Sequence, residues 1–150
     1  MANPEQLSLI KQGIEKWNRW RDQNTDTKPD LSESDLRETQ LQKANLSNTN
    51  LNKAKLQFSN LTEANLKNAD LSGAGMLESN LQYADLENAN LEGAQFNEDT
   101  LFKQTNLKGA SLRGTTGLSS SQINSAITNK QTKLPDYLEE EVDDDFLLQM

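Results

Sequence analysis

Ala64-Asn65-Leu66-Lys67-Asn68-Ala69-Asp70-Leu71-Ser72-Gly73-Ala74-Gly75-Met76 carries an apolar residue at 66, 71 and 76 and an alanine two positions before each. The spacing extends outward without a slip, through Leu31, Leu36, Leu41, Leu46, Leu51, Leu56 and Leu61 on one side and Leu81, Leu86, Leu91 and Phe96 on the other, fourteen centres in all. Five residues advance an α-helix by about 500°, which scatters such leucines around it, and five being odd they alternate between the faces of a strand. Neither element buries them all. A chain that turns a corner with every five residues does, because each leucine then points at one central axis while successive coils stack.

The position two before each centre reads Pro29, Ser34, Thr39, Ala44, Thr49, Ala54, Ser59, Ala64, Ala69, Ala74, Ser79, Ala84, Ala89 and Ala94, all small after the first. This is a second inward column kept narrow, while the other three positions are mostly polar, as a solvated exterior requires. After Phe96 the next clear centres are Leu107 and Leu112, so one residue is inserted between 97 and 106. Phe102 as centre puts Thr100 in the small column, whereas Leu101 would put Asp99 there as an unpaired buried carboxylate. Phe102 is therefore the preferred centre. Seventeen repeats follow, a little over four coils, and at about 4.8 Å per coil the rod is about 20 Å long.

Ala44-Asn45-Leu46, Ala64-Asn65-Leu66, Ala84-Asp85-Leu86 and Ala89-Asn90-Leu91 resemble the A(D/N)LXX signature of the pentapeptide-repeat family, and the resemblance covers roughly residues 29 to 114. It implies an all-β fold, a right-handed quadrilateral β-solenoid with four pentapeptides per coil. The flanks, among them Ile10-Lys11-Gln12-Gly13, Trp17-Asn18-Arg19-Trp20-Arg21 and Lys133-Leu134-Pro135, resemble those of cyanobacterial members.

A stack of coils has open edges at both ends, and solenoids need caps there. Asn3-Pro4-Glu5-Gln6 reads as a helix start, with Asn3 as N-cap, Pro4 at the first position and Gln6 three after the cap. Leu7, Ile10, Ile14 and Trp17 follow at helical spacing with Trp20 beside them, an apolar stripe suited to packing on the first coil. Ser119 to Ser121 read as the start of a short helix carrying Ile123 and Ile127, and Thr132 to Asp136 as an extended exit. The expected organisation is an N-terminal helical cap over 1–28, the solenoid over 29–116, a short C-terminal helical cap over 117–136 and an acidic flexible tail over 137–150.

A hydrophobic fraction of 33% and a mean hydropathy of −0.84 would indicate disorder without the repeat. The 150 residues contain no histidine and no cysteine, which removes Ser-His-Asp and Cys-His nucleophiles, Cys/His zinc sites and disulfides together. Neither a signal peptide nor a membrane-spanning apolar run is read, so the expected location is the cytoplasm, with no membrane contact. The net charge of −8 divides into +1 over residues 1–29, −4 over 30–114, +2 over 115–134 and −7 over 135–150. No stretch is a basic footprint for phosphate backbones, and direct nucleic-acid binding is not expected. Glu63, Glu78, Glu87, Glu92 and Glu98 take outward positions on convex sides, where nothing shapes a hydrolytic pocket. The chain is expected to be no enzyme and to need no cofactor or metal.

Three features rise above a uniform polar rod. Residues twenty apart stack on one side, so Phe58 and Leu77 are expected to be neighbours, with Tyr83 on the next side near Leu101. Such a group would be an apolar patch for a protein partner. The tail with Asp136 just before it sets seven carboxylates beside Phe146, Leu147, Leu148 and Met150, which suits docking into a groove with basic rims, or folding back onto the solenoid. Asn45, Asn65, Asp85 and Asn106, with Asn50, Asp70 and Asn90, form columns that could hold a cation but are better suited to bonding neighbouring backbone.

The expected function is a non-enzymatic, monomeric protein-binding scaffold or regulator. The alternative is a DNA mimic, since some pentapeptide-repeat proteins imitate a duplex and act on type II topoisomerases. Mimicry needs distributed negative charge, whereas the repeat body mixes twelve acidic with eight basic residues.

Overall fold

The computed structural model of the chain describes residues 1–139. Its backbone is a ladder of single parallel bridges with a step of twenty, as in Asp30 to Asn50 to Asp70 to Asn90 and Asn45 to Asn65 to Asp85. Twenty residues are four sides of five. The first side stacks Leu31, Leu51, Leu71 and Leu91; the second Leu36, Leu56, Met76 and Phe96; the third Leu41, Leu61, Leu81 and Phe102; the fourth Leu46, Leu66, Leu86 and Leu107, all buried. Burying each such side chain is worth about 1.5–3 kcal/mol, so the axial columns hold the coils together.

Only one residue per side pairs as a bridge because two of the five are spent in a turn. The N–H of Ala44 donates to the carbonyl of Leu41 at 3.1 Å, and Lys43 between them has φ +61°. A positive φ confined to the third residue is the signature of a type II turn, and it recurs at every corner up to Asn88. Coil-to-coil bonds then run along each side: Leu46 N to Asn65 O, Asn65 N to Ala44 O and Asn48 N to Lys67 O, at 2.7–2.9 Å. Where the small column holds serine in place of alanine, the hydroxyl donates inside its own turn, as Ser34 does to Leu31 O at 2.6 Å and Ser59 to Leu56 O at 2.7 Å, while Thr100 and Thr105 donate to Met76 O and Leu81 O of the preceding coil. Buried serine is tolerated there because its hydrogen bond is already made.

Phe102 points inward at 2% exposure, Thr100 is buried at 1%, and Leu101 is outside at 45%, so the inserted residue lies before Thr100. From there the pairing step is twenty-one, with Asn80 opposite Leu101 and Asp85 opposite Asn106. The Phe96 and Phe102 rings meet edge-on, centroids 5.3 Å apart, and fill the widened corner. Pairing also continues past the seventeenth repeat, joining Gln95 to Thr116, Asn106 to Ile127 and Ser111 to Lys133.

Among the described residues the ladder is flanked by α1 (Pro4–Lys11), α2 (Ile14–Gln23) and α3 (Ser120–Ser125). The stripe from Leu7 to Trp17 is thus divided between two helices, because Gly13 takes φ +122°, a conformation closed to most other residues. Asn3 caps α1 as expected, but Gln6 does not complete a capping box; its Oε1 accepts from Asp30 N at 2.7 Å. In α3 Ser119 and Gln122 form the capping box and Ile123 is buried, while Ile127 lies beyond the helix in the ladder. Leu138 is buried in a helical turn beginning at Asp136, so the described start of the expected acidic tail is packed rather than free.

On the first coil's leading edge, side chains stand in for the missing preceding coil. Trp17 Nε1 donates to Asn45 O at 2.8 Å, and Asn18 accepts from Asn45 N at 2.8 Å while donating to Lys43 O at 3.0 Å. Arg21, 4% exposed, donates to Thr27 O and to Ser47 O and Oγ. Burial lowers its pKa, and its Nε has no partner among the described residues.

Candidate protein-binding surface

A corner with φ near +60° favours glycine or asparagine, and the fourth side uses Asn48, Asn68 and Asn88 there. Phe58 (φ +63°) and Tyr83 (φ +62°) are the aromatic exceptions. A bulky residue in that region costs of order 1–3 kcal/mol, and neither ring recovers it by full burial, being 54% and 49% exposed. They stand out on energetic grounds as well as by polarity.

Phe58 N donates to Leu77 O at 3.1 Å, which makes these two direct neighbours on adjacent coils at the corner between the second and third sides. Phe58 also borders a cavity of about 380 Å³ with Asp35, Arg37 and Glu38. There the Arg37 guanidinium grips Asp35 through two bonds of 2.8 and 2.7 Å. The grip holds the Asp35 carboxyl well below the usual carboxylate range and raises the Arg37 pKa.

Tyr83 occupies the far corner of the third side. Its N–H donates to Lys103 O at 2.9 Å, and the Lys103 ammonium sits 5.8 Å from its ring centroid, within cation–π reach. Leu101 lies on the side between the two corners, bridged to Asn80. The structure therefore brings Phe58 to Leu77 and Tyr83 to Lys103, with Leu101 between the pairs. Sequence reasoning missed Lys103, although it stands one step of twenty beyond Tyr83. Phe146, Leu147 and Leu148 lie outside the described residues.

The Asn and Asp columns bond their own backbone. Asn45, Asn65, Asp85 and Asn106 each accept the N–H two residues on at 3.0–3.2 Å, and Asn50, Asp70 and Asn90 do the same at 2.9–3.0 Å. Among the described residues no group of three carboxylates is placed to hold a metal ion, and no helix is long and apolar enough to cross a membrane.

No curated protein sequence matches the chain. Several solved pentapeptide-repeat structures do. Rfr23 of the cyanobacterium Cyanothece 51142 is 24% identical over 78% of this chain and 97% of its own, with a TM-score of 0.40. A protein of the Arabidopsis thaliana thylakoid lumen is 31% identical over 62% of this chain and 70% of its own, TM-score 0.33. Full-length QnrB1, a plasmid-mediated fluoroquinolone resistance protein, is 16% identical over 77% of this chain and 65% of its own, TM-score 0.35. The sequence profile of pentapeptide repeats matches residues 30–68 and 59–97, with eight copies. With the twenty-residue ladder and its inward leucines, the repeat-profile match shows that the chain is a β-solenoid and belongs to the pentapeptide-repeat family.

Proposed function

We propose that the protein is a non-enzymatic scaffold or regulator, a cytoplasmic monomer that presents the Phe58, Leu77, Tyr83 and Leu101 surface, with the acidic C-terminal segment, to a protein partner. The observation that carries this reading is the pair of aromatic residues held at left-handed corners and left half exposed. Stability alone favours asparagine or glycine at both places, so something other than stability favours the rings. In this reading α1 and α2 cap the leading edge and α3 the trailing one, which keeps the solenoid from pairing edge to edge.

A DNA mimic needs an unbroken negative face. Here the acidic residues of the body are interleaved with cations, as in the Lys43–Glu63 pair at 3.6 Å and the Lys67–Asp85 pair at 3.5 Å. That interleaving favours a protein-reading surface.

The test is affinity capture with the full chain beside a Phe58→Ala/Tyr83→Ala double variant and beside a full chain with serine at 146, 147 and 148. A partner held by the wild type and released by the double variant supports recognition on the solenoid; release by the serine variant alone assigns it to the tail. Equal capture by all three proteins sinks the reading.

A further inference from the structure

In the interior coils the residue before each centre turns both of its backbone polar groups toward the preceding coil. Lys55 N donates to Ser34 O and Lys55 O accepts from Leu36 N, both at 2.8 Å; Asn60 N donates to Thr39 O at 2.9 Å and Asn60 O accepts from Leu41 N at 2.8 Å. The first coil has no coil before it, and the N-terminal segment replaces one on two sides. On the first side Asp30 N donates to Gln6 Oε1 at 2.7 Å and Asp30 O accepts from Asn3 N at 2.8 Å. On the fourth side Asn45 N donates to Asn18 Oδ1 and Asn45 O accepts from Trp17 Nε1, both at 2.8 Å. On the second and third sides the same groups of Asp35 and Gln40 have no partner among the described residues. Asp35 and Gln40 are exposed, whereas Asp30 and Asn45 are half-buried. The leading edge is therefore paired on two sides and open on the two between them, and an open strand edge is a template for another backbone.

Over the open sides lies a cavity of about 460 Å³, walled by Asp35, Arg37 and Gln40 below and by Ile10, Lys11 and Gly13 at the junction of α1 and α2. Its height decides what enters. A helix with its side chains is about 10 Å across, while a paired strand lies about 4.8 Å from its neighbour. Helices packed on the same edge hold a second solenoid off, yet one extended chain passes beneath them. The walls also select by charge. Asp35 is already held by Arg37, but Lys11 is exposed and joins no ion pair among the described residues, which leaves one cation for an acidic side chain.

We infer that the second and third sides of the leading edge dock an extended acidic peptide, which adds a strand to the first coil by bonding the backbone of Asp35 and Gln40 and sets a carboxylate against Lys11. A peptide that follows both sides turns as the coils do, so it carries glycine or asparagine at the corner. The site is on the end of the solenoid and meets the Phe58 cavity only through Asp35 and Arg37. It can therefore hold or fail independently of the Phe58 and Tyr83 surface.

Amide hydrogen exchange of the full-length protein alone tests the edge: Asp35 and Gln40 should exchange faster than Asp30 and Asn45, and equal protection overturns the inference. The probe for the occupant is a displayed library of short random peptides selected on the full-length protein. The selected peptides should be acidic with a glycine or asparagine among the carboxylates, and their synthetic forms should shift the Asp35 and Gln40 amide peaks. Gln40→Pro removes a donor that bonds nothing in the free chain, at an open edge where proline is tolerated. It should weaken the peptide about tenfold. Lys11→Glu alters no backbone group and should weaken it several-fold, whereas Phe58→Ala/Tyr83→Ala should leave it unchanged. A library that yields no binder, or binders held equally by Gln40→Pro, Lys11→Glu and the wild type, overturns the inference. So does protection of Asp35 and Gln40 that grows with protein concentration alone, since the occupant would then be a second copy.

Discussion

The side-chain amide of Gln122 donates to the main-chain carbonyl of Asn97 at 2.7 Å, and from the same nitrogen to that of Thr100 at 2.9 Å. That carbonyl is available because the Oδ1 of Asn97 takes the Glu78 N–H, a donor that elsewhere bonds a main-chain oxygen of the next coil. The inserted residue and the C-terminal helix are therefore one arrangement: the bulge exposes two carbonyls and α3 covers them. Gln122→Ala removes both bonds and half of the α3 capping box. A loss of about 2–3 kcal/mol is expected, read by chemical denaturation, with faster hydrogen exchange at Gln104, whose N–H is bonded to Ser125 O at 2.9 Å. Unchanged exchange at Gln104 would separate the helix from the bulge and contradict this account.

Gly117 lies where the chain crosses the same corner. A Cβ added there would stand 1.8 Å from Phe96 O, and the residue has φ +84°. The obstacle is backbone, which cannot swing aside as a flexible side chain can. Gly117→Ala is expected to cost about 2–4 kcal/mol, whereas Gly93→Ala, whose nearest atom would be 3.8 Å away, carries only the φ penalty. Comparable melting temperatures for the two variants would refute the close approach.

Stability should be nearly flat from about pH 5 to 7, because no side chain in the sequence ordinarily titrates there. Below that the sign is set by Asp30 and Asp35, both held below the ordinary carboxylate range, Asp30 by Ser32 and Asp35 by Arg37. Their folded pKa values lie under the unfolded value of about 3.9, so the unfolded chain binds protons first as pH falls. Stability from these groups is present above that value and lost as pH drops through their folded values. A melting temperature that rose on acidification from pH 5 to 3 would be the wrong sign.

How much of this was legible in sequence depends on whether one residue or several carried the signal. The fivefold leucines determine the coil unaided, and placing Phe102 inward followed from the cost of burying Asp99. The continuation to Ile127 and Lys133 was hidden, because pairing steps of twenty-one and twenty-two break the count and Gly117 stands near a position where a leucine would have announced the coil. The division of the N-terminal stripe rests on the φ of Gly13 alone, and a single glycine within an apolar period is a weak breaker.

Arg21 is the least legible of all, since an arginine on a polar helix reads as a solvated charge. Here it is buried on the first coil's edge, binding carbonyls in place of carboxylates. Removing it leaves Thr27 O and Ser47 O without their donor. Arg21→Ala should therefore cost about 2–4 kcal/mol, and Arg21→Lys should recover only part, because one ammonium does not reproduce the two-nitrogen reach. Full stability in Arg21→Lys would show that charge or packing, and not the fork, is what the site needs.

Phe58 separates strain from recognition. Glycine is ordinarily less favourable than alanine because it surrenders more backbone entropy, but at φ +63° alanine carries the left-handed penalty and glycine does not. Phe58→Gly should therefore be more stable than Phe58→Ala by about 1 kcal/mol, measured as a difference in denaturation free energy. Both variants lack the ring, so both should lose partner capture to the same degree. Capture that followed the stability order would mean the ring acts by shaping the corner; capture lost equally while stability diverges assigns the ring to the partner.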